Sequence, residues 1–395
     1  MKRRLGLLGA GLAGALAGAV AILSLPIAGY PSGPDFPTPR PRLPILGMAP
    51  VPTMLAWTAG GIPAGFTRSV RDLPSVRSVT SVRSGVAWLD AWEDASGNRD
   101  RPRRGYRIPL EVAAVDPASY ARFVPPSDRQ AVQGLADGGA ILGQSGAEIR
   151  GIGVGGRLEF GRRTLRAEAV LADELVGAHE AVVSKEVGRG LGIVRERYLL
   201  ILPRPGVAQR RVERALFRIL PAGIPMRVRA PGETPVFRHG DAALPMVRYK
   251  ELFGEFAARP GSLPGYIDPD PRWVEENIQE QVLPILGRVH CHRSVIPLLR
   301  EVLSELARRG LGDLIHQYAG CYSARYNNRD PSTTLSHHSW GAAIDINVST
   351  NRLGDEPTLD REVVAVFEKW GFIWGGRWLV PDGMHFEFQR YPNPA

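Results

Sequence analysis

The sequence predicts an α+β protein: an N-terminal membrane anchor, then two folded units, the second a small antiparallel sheet with flanking helices. Three observations predict this. No charge occurs from Leu5 to Tyr30, behind the basic Lys2-Arg3-Arg4. Two Pro/Gly-rich runs divide the rest of the chain, one starting at Pro31 and one spanning residues 259–272. Between and beyond them, strand-like alternation is interleaved with amphipathic helical spacing. The expected organisation is residues 1–30 as signal or anchor, 31–66 as Pro-rich linker, 67–258 as an α+β domain, and 259–395 as the domain that carries the chemistry.

The first element follows from length and flank. A helix over residues 5–27 rises about 34 Å at 1.5 Å per residue, enough for a hydrocarbon core of about 30 Å. Positive residues before it place that end in the cytoplasm and the bulk of the chain in the cell envelope. A cleaved signal peptide is the alternative, although no Ala-x-Ala site follows the run. The next stretch, PSGPDFPTPRPRLP, is stiff and extended, a spacer rather than a core. Residues 53–105 show little periodicity. In the first domain, VRERYLLILP (194–203) reads as a strand, residues 207–220 as an amphipathic helix and 225–230 as a strand, together a β-α-β unit. The run Gly151-Ile-Gly-Val-Gly-Gly156 makes no dinucleotide loop, because RLEFGRRTLRAEAVL alternates as a strand where a helix should open. No nucleotide cofactor is expected. In the last domain, Ser294 is the expected cap of a helix with Val295, Leu298, Leu299, Val302 and Leu306 inward, stopping at Gly310. A second helix runs from Arg361 to Trp370, with Asp360 as N-cap and Gly371 as its stop.

Composition narrows the function. The net charge is +9, and with only four lysines it is almost all arginine, which suits an anionic partner such as a membrane surface or cell-wall polymer. The arginines are spread along the chain without a stacking motif, so no nucleic-acid role is expected. Two cysteines, Cys291 and Cys321, exclude a disulfide-rich scaffold and any four-cysteine metal site. Outside the cytoplasm a disulfide between them is the simpler reading, and closing that loop adds roughly 3–4 kcal/mol. The rival readings are two free buried thiols and a second metal site on His290, Cys291, His292 and Cys321.

Six of the eight histidines follow residue 289. In Ser336-His-His-Ser-Trp-Gly-Ala-Ala-Ile-Asp-Ile-Asn347, alternation from Gly341 puts Asp345 on one strand face behind the small Ala343. His338 lies in the turn before Gly341 and can fold back onto that carboxylate, and the adjacent His337 competes for the same place. In Asp382-Gly-Met-His-Phe-Glu-Phe388, His385 and Glu387 share one face while Phe386 and Phe388 take the buried one. Laid side by side, the two strands bring His338, Asp345 and His385 together with a fourth position open, the donor set of a catalytic zinc ion. Asp382, three residues before His385, is the candidate general base. Arg325 is the candidate cation for an oxyanion or substrate carboxylate, with Arg329 as its rival. Glu387 is expected to orient a ligand from behind.

These residues resemble the LAS-type zinc peptidases. The pattern Ser336-x-His338-x-x-Gly341-x-Ala343-x-Asp345, then Asp382-x-x-His385, is similar to the D-alanyl-D-alanine carboxypeptidase and endolysin L-alanyl-D-glutamate endopeptidase branch. Gly320-Cys-Tyr-Ser-Ala-Arg325, Trp374-Gly-Gly376 and Met384-His-Phe-Glu387 extend it over residues 265–392. The resemblance implies a domain of the hedgehog and D-Ala-D-Ala-peptidase type, with Zn2+ on His338, Asp345 and His385, Asp382 as base, Arg325 as substrate cation, and Ser336 and Glu387 in support. It implies peptidoglycan peptides as substrate, cut by a carboxypeptidase or an endopeptidase. A zinc-containing cell-wall-binding module of the same fold is the non-enzymatic alternative, which an intact Asp382 opposes. Arg377 departs from the family, where an acidic or amide residue follows the Gly-Gly pair.

Overall fold

Alternating and fully apolar strands assemble an eleven-stranded mixed sheet in the computed structural model, which describes residues 51–233, 240–241 and 244–392. In spatial order it runs Met226–Arg229, Met54–Thr58, Glu196–Pro203, Val76–Leu89, Ile108–Val115, Ala181–Ser184, Ala140–Gly143, Arg163–Leu171, Arg157–Phe160, Ala91–Glu93 and Arg99–Asp100. The expected anchor (1–30) and residues 31–50 of the expected linker lie outside the described residues. Among the described residues no helix is long and apolar enough to cross a membrane.

The β-α-β unit is present in a split form. Glu196–Pro203 leads through the helix Gln209–Ile219 to Met226–Arg229, and Met54–Thr58 lies antiparallel between the two strands. Residues 54–58 of the stretch expected as linker thus form a strand of this sheet. All five residues of MLAWT are buried; a strand covered on both faces lacks the alternation that separates strand from linker in sequence. The Gly151–Gly156 run leads into the hairpin Arg157–Phe160 and Arg163–Leu171, as the alternation requires.

The C-terminal part is built on a second, antiparallel sheet in the order Tyr318–Gly320, Ala343–Ile346, His385–Phe388, Phe372–Trp374. Helices Ile296–Arg308 and Arg361–Lys369 supply its core through Leu298, Leu299, Val302, Leu306, Val363, Val366 and Phe367. Asp360 caps the second helix, its Oδ1 accepting from Glu362 N at 2.7 Å and Val363 N at 3.4 Å. Ser294 does not cap the first. Val295 occupies that position without a side-chain bond, and Ser294 N donates instead to His292 Nδ1 at 3.1 Å. Pro297 in the first turn presets the helical φ there and needs no capped N–H.

Residues 259–272, expected to mark the boundary, carry a short hairpin in which Ala258–Pro260 pairs with Ile267–Pro269. The C-terminal core reaches back across the expected border at 259, taking in Met246, Tyr249, Phe253 and Phe256, with Val86 and Trp88 of the first sheet packed against it. Cys291 and Cys321 are joined in a disulfide, with Cα atoms 5.4 Å apart.

Candidate metal centre

Strand pairing brings the two sequence segments together. Ala343–Ile346 and His385–Phe388 are antiparallel neighbours in which Asp345 stands directly opposite His385. His338 comes from the 3₁₀ turn His337–Trp340 just before the first strand. Ser336 Oγ opens that turn by accepting from His338 N at 3.4 Å, and Gly341 ends it at φ 62°. A Cβ on Gly341 would stand 2.7 Å from His292 N, so only glycine allows the turn to close against the neighbouring strand.

The three side chains converge, with their ligand atoms within 4.8 Å of one another. His338 Nδ1 lies 2.7 Å from Cys321 O, so it carries the proton and leaves Nε2 as a bare acceptor. That Nε2 is buried without a hydrogen-bond partner, 3.1 Å from Asp345 Oδ2. His385 Nδ1 stands 2.9 Å from Asp345 Oδ1, while its Nε2 lies 3.3 Å from Glu387 Oε2. With each outer nitrogen donating backwards, both inner nitrogens aim lone pairs at one carboxylate, an arrangement that only a cation or protons can stabilise. Burial by itself would raise Asp345, but His338 and His385 hold it well below the ordinary carboxylate range. Burial opposes charge on His385 too, yet Asp345 and Glu387 on either side push it up to about 10. Two imidazoles, one carboxylate and outer-shell acceptors fit a zinc site.

Asp382 is mostly buried beside this group, its Oδ1 without a hydrogen-bond partner. Burial raises its pKa and Asp345 adds to the rise, against the pull of His385, His338 and Arg325. Trp374 Nε1 donates to Gly383 O at 2.8 Å and fixes the turn that presents Asp382. The half-buried Arg325 lies within electrostatic reach of both Asp345 and Asp382. Arg329, its rival, is exposed and donates from Nε to Tyr266 Oη at 2.8 Å. His337 is engaged elsewhere: its Nδ1 is 2.6 Å from Glu387 Oε2, and its ring stacks on Tyr249 with centroids 3.7 Å apart.

Residues 329–388 match the family model described as D-alanyl-D-alanine carboxypeptidase. That stretch contains His338, Asp345, Asp382, His385 and Glu387, and Arg325 lies four residues before it. A comparison with curated proteins found no match. Two solved structures are similar over part of the chain at 11% identity. The periplasmic region of MacB from Actinobacillus actinomycetemcomitans overlaps 45% of this chain and 88% of its own, with a TM-score of 0.32. The extracellular domain of the noncanonic ABC-type transporter YknZ from Gram-positive bacteria overlaps 41% and 88%, with a TM-score of 0.27.

Sequence reasoning missed one neighbour of the site, Tyr249, while Trp378 stands where a pocket-wall or core tryptophan was expected. Tyr249 stacks on His337 and donates its hydroxyl to Phe388 O at 2.8 Å. It lies 89 residues upstream of His338, and its only signal is an apolar position in a short helix. Trp378, whose ring centroid is 5.1 Å from that of His385, has a buried Nε1 without a partner. A tryptophan two residues after Gly-Gly in the matched stretch was its available signal.

Proposed function

We propose that the chain is a zinc-dependent peptidase of the D-alanyl-D-alanine carboxypeptidase kind, acting on peptidoglycan stem peptides in the cell envelope. The anchor over residues 5–27 belongs to this proposal and rests on the sequence. One observation carries the reading: two inward-facing imidazole nitrogens and a carboxylate share one point, with an unpaired carboxylate oxygen of Asp382 beside it. Bound there by His338, Asp345 and His385, zinc would lower the pKa of water and polarise the scissile carbonyl.

The chain's own groups do the rest. Arg325 binds the terminal carboxylate of the peptide or the developing oxyanion. Asp382 accepts the proton of the attacking water and passes it to the departing amine as the C–N bond breaks. Desolvation favours that role, since a carboxylate of raised pKa both takes and returns a proton readily. Glu387 fixes the ring of His385 through Nε2, and Cys321 O fixes that of His338 through Nδ1.

The test is zinc content together with product mass from a stem pentapeptide ending in D-Ala-D-Ala. The expected result is one zinc per chain and release of D-Ala; a cut between L-Ala and D-Glu would move the substrate to the endopeptidase class. Asp382→Ala should keep its zinc and lose about 10²- to 10⁴-fold in kcat. Undiminished turnover in that variant would remove Asp382 from the mechanism.

A further inference from the structure

The loop after Arg325 is shaped by residues of the other sheet. Tyr326 and Leu335 bridge its base. At its tip Asn328 and Arg329 both take left-handed backbone conformations, at φ 54° and 56°. Two consecutive non-glycine residues in that region are unfavourable and persist only where surrounding contacts enforce them. Some of those contacts lie within the loop, where Thr333 Oγ1 donates to Asn327 O at 3.0 Å and Asp330 O at 2.7 Å. Others come from the large sheet, more than a hundred residues away. Arg195, just before the strand Glu196–Pro203, reaches Asp330 Oδ2 at 3.2 Å and Ser332 Oγ at 3.1 Å through Nη1. Arg197, buried in that strand, donates to Ser332 O while its Nε holds Ser84 O at 3.4 Å. Trp88 Nε1 donates to Tyr326 Oη at 3.1 Å. The loop begins where Arg325 is pinned to the turn that carries His338: Arg325 N donates to Ser339 Oγ at 3.0 Å, and Arg325 O accepts from Ser336 N at 2.9 Å.

We propose that Arg195, just before a strand of the first sheet, and Arg197, within it, are positioning residues for Arg325, holding the 326–335 loop so that the guanidinium meets the substrate. The proposal rests on the reading of Arg325 as the substrate cation. The first α+β part thereby acquires a role, supplying one side of the frame around the substrate-binding cation. Arg195 and Asp330 make a partly exposed pair, so either can be changed with little risk to folding.

The experiment uses the full chain and a stem pentapeptide ending in D-Ala-D-Ala. Arg195→Gln and Asp330→Asn should each raise KM about three- to fivefold, with kcat and zinc content unchanged. The double variant should be no worse than either single one, and Arg195→Lys should restore KM. Amide exchange provides a readout independent of activity: residues 326–335 should exchange faster in Arg195→Gln and Asp330→Asn but not in Arg195→Lys. Wild-type KM in both single variants, additive effects in the double, or unchanged exchange in the loop would each overturn the proposal. If the unaltered chain released no product while the exchange pattern held, the peptidase reading would fail and the clamp on the loop would stand.

Discussion

His337 and His338 are adjacent and chemically identical, yet the fold gives them opposite duties. His338 is pinned through Nδ1 to a backbone carbonyl and presents its other nitrogen to Asp345, whereas His337 turns its Nδ1 to Glu387 and its face to Tyr249. Replacing His338 with Ala should therefore abolish zinc retention, while His337→Ala should weaken it without removing it; metal analysis after dialysis distinguishes the two. Glu387 serves both His337 and His385, and its carboxyl is held far below its usual range because those imidazoles outweigh the burial that opposes ionisation. Glu387→Gln should lower zinc affinity about 10- to 100-fold. The shift on His385 gives a pH dependence. With its folded value at about 10 against an ordinary 6.5, His385 is protonated near neutrality in the metal-free chain, and zinc must displace that proton. Affinity should rise with pH up to about 10, and calorimetry in buffers of different ionisation heat should show proton release at about pH 7. For the metal-free fold the sign reverses. The raised value stabilises it fully below about 6.5, and that contribution is lost as pH rises through about 10.

At the scale of elements, the site depends on one register and two turns. A slip of one residue between Ala343–Ile346 and His385–Phe388 would send Asp345 and His385 to opposite faces. Gly375 secures the turn before the second strand: a Cβ there would stand 2.7 Å from Asp382 O and 3.3 Å from His385 Cβ. Gly375→Ala should thus lower kcat by up to about a hundredfold while zinc content holds, since displacing a catalytic group by an ångström costs that much. Asp360→Ala is the contrasting case, an N-cap remote from the chemistry. It should cost about 1 kcal/mol in denaturant unfolding and leave kcat unchanged. The strand faces and the Asp360 cap were both legible in sequence, because alternation and a capping residue before an apolar stripe are local signals; the register itself was set by the pairing of the two strands. The strand Met54–Thr58 was not legible, since burial on both faces erases the period of two.

Across the whole molecule, an ionic centre ties the first α+β part to the helix Met246–Phe253 of the C-terminal core. Lys250, fully buried, donates to both oxygens of Glu180 at 2.9 and 2.8 Å and to Pro109 O at 2.6 Å, and lies 2.9 Å from Glu255. Arg150 bridges Glu180 and Glu255. Burial would raise Glu180, but Lys250 and Arg150 overcome it and keep the carboxylate ionised. Lys250 is the residue next to Tyr249, so one helix, Met246–Phe253, ties this network to the stack on His337. Lys250→Met should cost about 3–5 kcal/mol by leaving Glu180 short of its cation, and should loosen zinc binding in the same variant. Thermal unfolding of the full chain followed by metal analysis checks both.

By itself the sequence pointed to His338, Asp345 and His385 as a candidate metal-binding group, to the candidate base and to the helices of the second sheet, because local spacing within two short segments and beside two caps carries those signals. What holds His337 away from the carboxylate, where the C-terminal core begins, and which residues of the first α+β part grip the loop beyond Arg325 were decided by tertiary structure alone. Those outcomes depend on contacts between side chains far apart in the chain, such as Tyr249 with His337 and Arg195 with Asp330. No local period records such contacts, since the partner of a buried polar group is chosen by where the chain returns in space.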